Sequence, residues 1–342
     1  MSLWNFSRDP SGVLVLLQVG SEKGLDADKL LRGSRLSQAQ LGSPNCELSA
    51  AQELRVIENL LAALHRPPGL GLNVGLRCHF STFGMWGYWL ISSSTLGDAV
   101  DVALGHLQLT FAYSSIKKVI RGDQALLTFL PPTDFPPYLK RFVVEREMGT
   151  AASLLEDIGG PDFHLSEFCL QDGNGRMYVV PEKLTKIAGA GITKSNGYHL
   201  AFPAKWLAYR PSTANPLTAA MCEQACKRLV ERRRGELRVG EIVKEYLSVS
   251  TAPTIPTLDT ISRLTNTSVR TLKRRMQGEG LSFRSLVSDE RSKLAAELVL
   301  DKSQPLADIA ARLGYSSPSC FSQAFKRWHG VSPSQFRQHQ NC

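Results

Sequence analysis

Apolar residues in the first ~70 positions recur at helical spacing. Leu30 and Leu31 are followed by Leu54, Ile57, Leu60, Leu61 and Leu64, and Pro67-Pro68-Gly69 stops the run. From Gly71 to Leu109 the chain is apolar, with Gly84, Gly87 and Gly97 interspersed. Within it, Ser94 to Val100 reads as a capped helix start, Asp98 standing three residues beyond Thr95. The period then changes. Ile116 to Phe129 carries a turn at Arg121-Gly122-Asp123. Phe163 to Leu170 alternates, meets Asp172-Gly173-Asn174-Gly175 and continues from Met177 to Val180. Ser195-Asn196-Gly197 followed by Tyr198 to Phe202 repeats the signal. These are hairpin signatures, because Gly and Asn tolerate the positive φ of tight turns. Tyr138 to Ile158, between them, reads as a helix. From Ala219 onward strand signals stop, and Glu231-Arg232-Arg233-Arg234-Gly235-Glu236 forms a charged stretch suited to a boundary. Its basic triplet also suits a DNA-contacting arm, although a solvated linker is the plainer reading. The pattern predicts an α+β N-terminal domain over 1–230, a linker over 231–239 and an all-α domain over 240–338.

The helical third contains an internal repeat. At an offset of 48, Leu258 matches Leu306, Ile261 matches Ile309, Ser262 matches Ala310 and Asn266 matches Gly314; at 49, Leu272 matches Phe321 and Met276 matches Phe325. Each copy has the layout of a helix-turn-helix. A small residue, Ser262 or Ala310, stands where two helices approach, and Asn266 or Gly314 supplies a left-handed turn position. Ser268 and Ser317 cap the second helices, and Pro318 suits a first helical position because its missing donor is not needed there. A helical stretch from Ser282 to Leu300 joins the copies. A generic helical bundle with solvated charges explains one such pattern; two in register are harder to explain that way.

The second helix of such a unit enters the major groove led by its N-terminal residues. With Leu272 and Met276 inward, Arg270, Thr271, Lys273 and Arg274 lie on the outer face, where Arg and Lys can bond guanine O6 and N7. With Phe321 and Phe325 inward, Ser319, Cys320, Ser322 and Gln323 face out. Gln can read adenine, Ser more often positions on phosphate, and Lys326 and Arg327 further along suit the backbone.

Charge adds to this picture. The chain has a formal net charge of +9, and residues 240–342 hold 14 Lys/Arg against 9 Asp/Glu, whereas 1–239 hold 26 against 22. The C-terminal third is thus the more basic part, as expected of a segment that meets phosphates. No apolar run approaches the ~20 residues of a membrane span, and Val13 to Val19 lacks the flanks of a signal peptide, so the expectation is a cytoplasmic protein without a membrane partner. Seven scattered cysteines suit reduced thiols; Cys222 and Cys226 lie one helical turn apart but lack further ligands nearby. The seven histidines show no metal-ligand spacing, and neither a phosphate loop nor a serine elbow is present, so no metal, cofactor or catalytic residue is expected. Lys140, Arg141 and Arg146 on one helix suit either an anionic effector or a charged surface. Trp86, Tyr88 and Trp89 suit either an apolar pocket or plain core.

Ala307 to Pro333, with its run Ile309-Ala310-Ala311-Arg312-Leu313-Gly314-Tyr315 and Phe321-Ser322-Gln323-Ala324-Phe325-Lys326-Arg327, closely resembles the signature of AraC-type transcription regulators. Ser268 to Met276, with Arg291 and Ala295, resembles the first motif and connecting helix of that family. The resemblance covers roughly 240–338 and implies that the connecting helix holds two recognition helices about one DNA turn apart. Gln323 departs from a frequent Arg, and Thr265 from a common apolar residue. The N-terminal two-thirds, through Gly71 to Leu107, Phe202-Pro203 and Leu207, resembles the effector domain of the ornithine-utilisation-regulator subgroup, which implies ligand sensing and dimerisation without naming a ligand.

The expectation is therefore an α+β effector domain followed by an all-α domain of two helix-turn-helix motifs joined by a linker helix. It describes a ligand-responsive activator, not an enzyme, with double-stranded promoter DNA, RNA polymerase and a small-molecule effector as partners and a homodimer as its assembly. The alternative is a DNA-repair or other enzyme fused to the same DNA-binding module, which needs a reactive cysteine in an electropositive setting. A non-specific architectural protein fits poorly with so large an apolar N-terminal region.

Overall fold

A computed structural model of the chain describes residues 7–43, 46–133, 135–171, 181–189, 193–195, 197–235, 239–249, 257–264, 268–301 and 304–339. The chain divides into two compact units, Ser2–Glu236 and Leu237–Cys342.

The first unit opens with helices α1 (Ser11–Glu22), α2 (Ala27–Leu31), α3 (Gln38–Leu41), α4 (Ala50–Ala63), α5 (Leu70–Gly75), α6 (Gly84–Ile91) and α7 (Leu96–Gly105). Several of their starts are chemically marked. Ser49 Oγ accepts the Gln52 N–H at 3.2 Å while Gln52 Oε1 accepts the Ser49 N–H at 3.0 Å, and Thr95 Oγ1 accepts from the Asp98 N–H at 3.1 Å. Of the predicted stripe, Ile57, Leu60 and Leu61 face the core together with Val56, whereas Leu54 and Leu64 are half-buried.

A hairpin follows, β1 (Ser115–Arg121) and β2 (Gln124–Leu130), turning at Gly122 with φ +59°. After it comes α8 (Pro137–Gly159), a helix buried along most of its length, including Glu145, Arg146 and Glu147. It packs against α5 at a distance only glycine permits. A Cβ on Gly71 would stand 2.3 Å from the Phe142 carbonyl oxygen, and one on Gly75 2.0 Å from that of Arg146. Then follow β3 (Glu167–Gln171), α9 (Glu182–Ala188), β4 (Thr193–Ser195), β5 (Tyr198–Pro203) and α10 (Pro216–Gly235).

The five strands form one sheet in the order β1-β2-β5-β3-β4, antiparallel except for the β3–β4 pair. Two expectations change here. Ser195 to Gly197 does not close a hairpin of neighbouring strands: β5 lies between β2 and β3, so β4 pairs on the far side of β3. The turn at 172–175 and the segment 177–180, like Asn196, lie outside the described residues. The expected linker is also partly helical, since 231–235 complete α10. Two members of its basic run share one carboxylate: Arg232 Nη2 and Arg233 Nε lie 2.6 and 3.4 Å from Glu47 Oε1.

The second unit is helical throughout its described residues: α11 (Val239–Val249), α12 (Leu258–Leu264), α13 (Val269–Gly278), α14 (Phe283–Leu300), α15 (Leu306–Arg312), α16 (Pro318–His329) and α17 (Pro333–His339). Thus the N-terminal part is α+β, and the C-terminal part is an all-α domain in which α14 joins two helix pairs. Among the described residues no helix is long and apolar enough to cross a membrane.

Candidate nucleic-acid interface

The repeat read from the sequence is a repeat of buried positions. Ile261 and Ile309 are fully buried, Ser262 and Ala310 nearly so, and Leu272, Met276, Phe321 and Phe325 all point inward. In the first copy, Ser268 Oγ accepts the Thr271 N–H at 3.1 Å and starts α13. Leu272 and Met276 then fix which face is outward. Arg270, Lys273 and Arg274 are exposed, whereas Thr271 is half-buried and its Oγ1 lies 2.9 Å from Ser268 Oγ. Arg275, which was not singled out from the sequence, is exposed beside Arg274. Thr265 and Asn266 lie outside the described residues.

The far end of α13 is tied down by charge. Glu279, at its C-cap, accepts the Val239 and Gly240 N–H groups, each at 2.7 Å. These are unpaired donors at the positive end of α11, so one carboxylate satisfies two of them and anchors the recognition helix to its neighbour.

In the second copy, Gly314 takes φ +77° between α15 and α16, as the turn requires. Ser317 Oγ accepts the Cys320 N–H at 3.2 Å, and Pro318 follows at the first helical position. Phe321 and Phe325 pack with Ala295, Leu298, Val299, Ile309, Ala310 and Leu313 into one core. Ser319, Cys320, Gln323, Lys326 and Arg327 are exposed, and Ser322 is half-buried. Hydrogen bonds from Ser317 and then Ser316 hold the Cys320 thiol below its ordinary range.

Three side chains bind this second pair to α14. Trp328 Nε1 donates to Ser288 Oγ at 3.1 Å, and His329 Nε2 lies 3.1 Å from Ser292 Oγ. Arg337 from α17 donates to the carbonyls of Val299 and Gln304 at 2.6 and 2.7 Å. The first of these carbonyls belongs to the last turn of α14, which ends without a glycine cap. Sequence reasoning had no signal for these clasps, because each joins residues more than 30 positions apart.

Neither α13 nor α16 carries an acidic residue. Each presents a capped N-terminus and an outer face of cationic or neutral polar side chains. Such a surface can donate to phosphate oxygens and to base edges, and it offers anions no repulsion.

The other candidate groups resolve differently. Arg146 is neither a surface charge nor an anion site: it is fully buried, with Nη1 at 2.7 Å from Glu53 Oε1 and Nη2 donating to the Phe111 carbonyl at 2.8 Å. Arg141 is paired with Glu145 at 2.8 Å. Cys222 and Cys226 are buried free thiols, the second pushed up to about 11 by desolvation. Glu167, Cys169 and His199 were invisible as a group in the sequence, yet the β3–β5 register brings their potential ligand atoms within 4.8 Å of one another. Hydrogen bonds account for the grouping: His199 Nε2 lies 3.3 Å from Glu167 Oε2, and Cys169 Sγ 2.8 Å from Thr193 Oγ1.

Known proteins match both units. The model of the arabinose-binding domain of AraC transcription regulator, N-terminal, fits residues 24–210, and that of a helix-turn-helix domain fits 261–339. The ornithine utilization regulator of Pseudomonas aeruginosa is 28% identical over 329 residues, covering 94% of each chain. An uncharacterised HTH-type transcriptional regulator of Mycobacterium tuberculosis is 26% identical over 328 residues, again 94% of each chain. Among solved structures, transcriptional regulator CdpR from Pseudomonas aeruginosa is 20% identical, with a TM-score of 0.46, and covers 96% of this chain and 98% of that one. With the N-terminal model alone spanning more than half of the chain and the two capped helix pairs behind it, the protein belongs to the AraC family of helix-turn-helix, DNA-binding transcription regulators.

Proposed function

We propose that this regulator is a ligand-responsive activator that reads promoter DNA with α13 and α16 and is controlled by its N-terminal domain. In this reading, 240–338 is the DNA-binding domain and 1–230 the regulatory one. Arg270, Lys273 and Arg274 read bases, with Thr271 as a further contact. Ser319, Cys320, Ser322 and Gln323 make the second, more weakly reading contact, and Lys326 holds the backbone. The observation that carries it is the paired burial of Leu272/Met276 and Phe321/Phe325, which turns two acid-free helix faces outward.

Activation is supported by a relative: the urease operon transcriptional activator of Escherichia coli is 35% identical over 80 residues. An activator acts in the cytoplasm, contacts RNA polymerase, and as a homodimer doubles its DNA contacts. The enzyme-fused alternative needs a reactive cysteine in an electropositive setting. Cys78, Cys169, Cys222 and Cys226 are buried and burial raises the Cys46 thiol, while the exposed Cys320, whose thiol is held low, lies on α16 where this reading puts DNA.

Footprinting on the promoter nearest the regulator's own gene tests the proposal. Two protected segments about one DNA turn apart, both lost when Arg274 and Gln323 are changed to alanine, are expected. Uniform protection along random DNA is the result that sinks it.

A further inference from the structure

Behind the β1–β2 hairpin, the N-terminal domain holds a half-open cavity of about 90 Å³, which with its mouth and the solvent there reaches about 700 Å³. Aromatic rings form part of its wall: Phe83 stacks on Phe111 at 4.9 Å and meets Trp86 edge-on at 5.0 Å. Aliphatic side chains of α7 and α8 supply much of the rest.

The polar groups that reach this wall are already committed. Thr110 Oγ1 donates to the Leu107 carbonyl at 2.7 Å and accepts from the Ala112 N–H at 3.1 Å. Glu147 accepts the N–H groups of Tyr113 and Ser114 at 2.6 and 3.2 Å, and Thr150 Oγ1 donates to the Gly75 carbonyl at 3.4 Å. Trp86 is different. It is nearly fully buried, and its Nε1 has no hydrogen-bond partner among the described residues. A buried indole N–H ordinarily finds an acceptor, so an unpaired one on a residue that lines the cavity is a donor left for a ligand acceptor once the ring turns toward it.

We propose that this cavity is the effector site and that it takes an uncharged, largely apolar molecule with one hydrogen-bond acceptor, placed against Trp86 Nε1. The effector role rests on the reading of this domain as regulatory; the chemistry of the ligand rests on the wall alone. A polyhydroxylated sugar or a zwitterionic amino acid would bury polar groups with no partners, since the other polar wall groups named above are spent. A carboxylate would in addition meet the Glu147 side chain, a buried acid. An aliphatic or aryl ketone satisfies the indole and buries its remainder against the rings.

The test uses the full-length protein with 2-nonanone and acetophenone as probes and L-arabinose, L-ornithine and nonanoate as contrasts. Thermal unfolding and calorimetric titration read binding; fluorescence anisotropy with promoter DNA reads the response. A ketone is expected to raise the unfolding temperature by a few degrees at saturation while the three contrasts do not. Ala103→Phe and Ala151→Phe, each filling the cavity from a half-buried position, abolish that shift. Trp86→Phe keeps a smaller aromatic ring and loses the donor, weakening the ketone about tenfold more than it changes the binding of a pure hydrocarbon such as nonane. Absence of any ketone shift overturns the proposal, as does a shift that survives both filling variants. Ketone binding that leaves promoter affinity unchanged overturns the effector role and leaves the apolar site standing. A promoter response to arabinose or ornithine without ketone binding removes the site and leaves ligand-responsive regulation intact.

Discussion

Trp328 Nε1 donates to Ser288 Oγ at 3.1 Å, so the end of the second recognition helix is bonded to the middle of the connecting helix. That bond, with His329 on Ser292, sets how α16 is carried on α14. Trp328→Phe leaves a smaller aromatic ring packed against the core and removes the donor. It should cost about 0.5–1.5 kcal/mol of stability in the C-terminal unit. Protection of the half-site under α16 should fall more than protection under α13. Equal loss at both half-sites in a quantitative footprint would show that the clasp serves general stability and does not aim the helix.

Arg274 stands exposed on α13, one turn from the capped start, while its neighbours Leu272 and Met276 are buried. Arg274→Ala should therefore leave thermal unfolding unchanged and weaken specific promoter binding by about 1–3 kcal/mol, with base preference relaxed at one position. Lys326→Ala, which removes the proposed backbone contact, should weaken binding uniformly and reduce the salt slope by about one. Binding curves on the cognate promoter and on single-base variants at several salt concentrations separate the two. An identical pattern for both variants would remove Arg274 from base reading.

How much of this was legible in the sequence depended on range. The helix-turn-helix pairs came through because their signals are local: Ser268 and Ser317 cap three residues ahead, Gly314 turns where it stands, and Leu272/Met276 and Phe321/Phe325 repeat at one helical turn. The Thr95 cap and the turn at Gly122 were legible for the same reason. Arg146 was misread because its partner, Glu53, is 93 positions away, and nothing local distinguishes a buried arginine from a solvated one. The grouping of Glu167, Cys169 and His199 depends on strand register, and β4 pairing beyond β3 depends on sheet order; neither is written in a period-2 pattern. The cavity was half legible. Trp86 was a candidate for a pocket wall, but its unpaired N–H appears only once the neighbouring groups are seen to be spoken for.

Cys320 is exposed at the start of α16, and the hydroxyls of Ser317 and Ser316 favour its thiolate. It should be alkylated by iodoacetamide faster than Cys78, whose thiol burial pushes up to about 11. The rate at Cys320 should rise with pH at a lower midpoint than that of an ordinary thiol. Ser316→Ala should shift the midpoint upward. Bound promoter DNA should protect Cys320 and leave the slow sites unchanged. Mass spectrometry of the labelled peptides gives the rate at each cysteine. Labelling of Cys320 that is indifferent to specific DNA would place it outside the interface.

Glu53 anchors the N-terminal domain through charge. It is almost fully buried; Arg8 Nη1 and Arg146 Nη1 lie 2.6 and 2.7 Å away, and the Tyr113 hydroxyl donates to it at 2.9 Å. Burial alone would raise its pKa, but the two guanidinium groups outweigh that and hold it below the ordinary 4.5. A carboxylate whose folded pKa is depressed contributes stability that is complete above its unfolded pKa and is lost as pH falls through the folded one. The neighbouring Glu147 is shifted the other way by desolvation, so its protonation does not add to the acid loss. Glu53→Gln removes the charge that faces two buried cations and should cost about 3–5 kcal/mol at neutral pH. Four of the five tryptophans precede residue 236, so urea unfolding followed by their fluorescence reports this domain. The wild-type midpoint should drop below about pH 4.5, and the Glu53→Gln midpoint, lower throughout, should be flatter across that range. Parallel curves would mean that the acid sensitivity arises elsewhere and that the Arg8–Glu53–Arg146 cluster is not what couples α4 to α8.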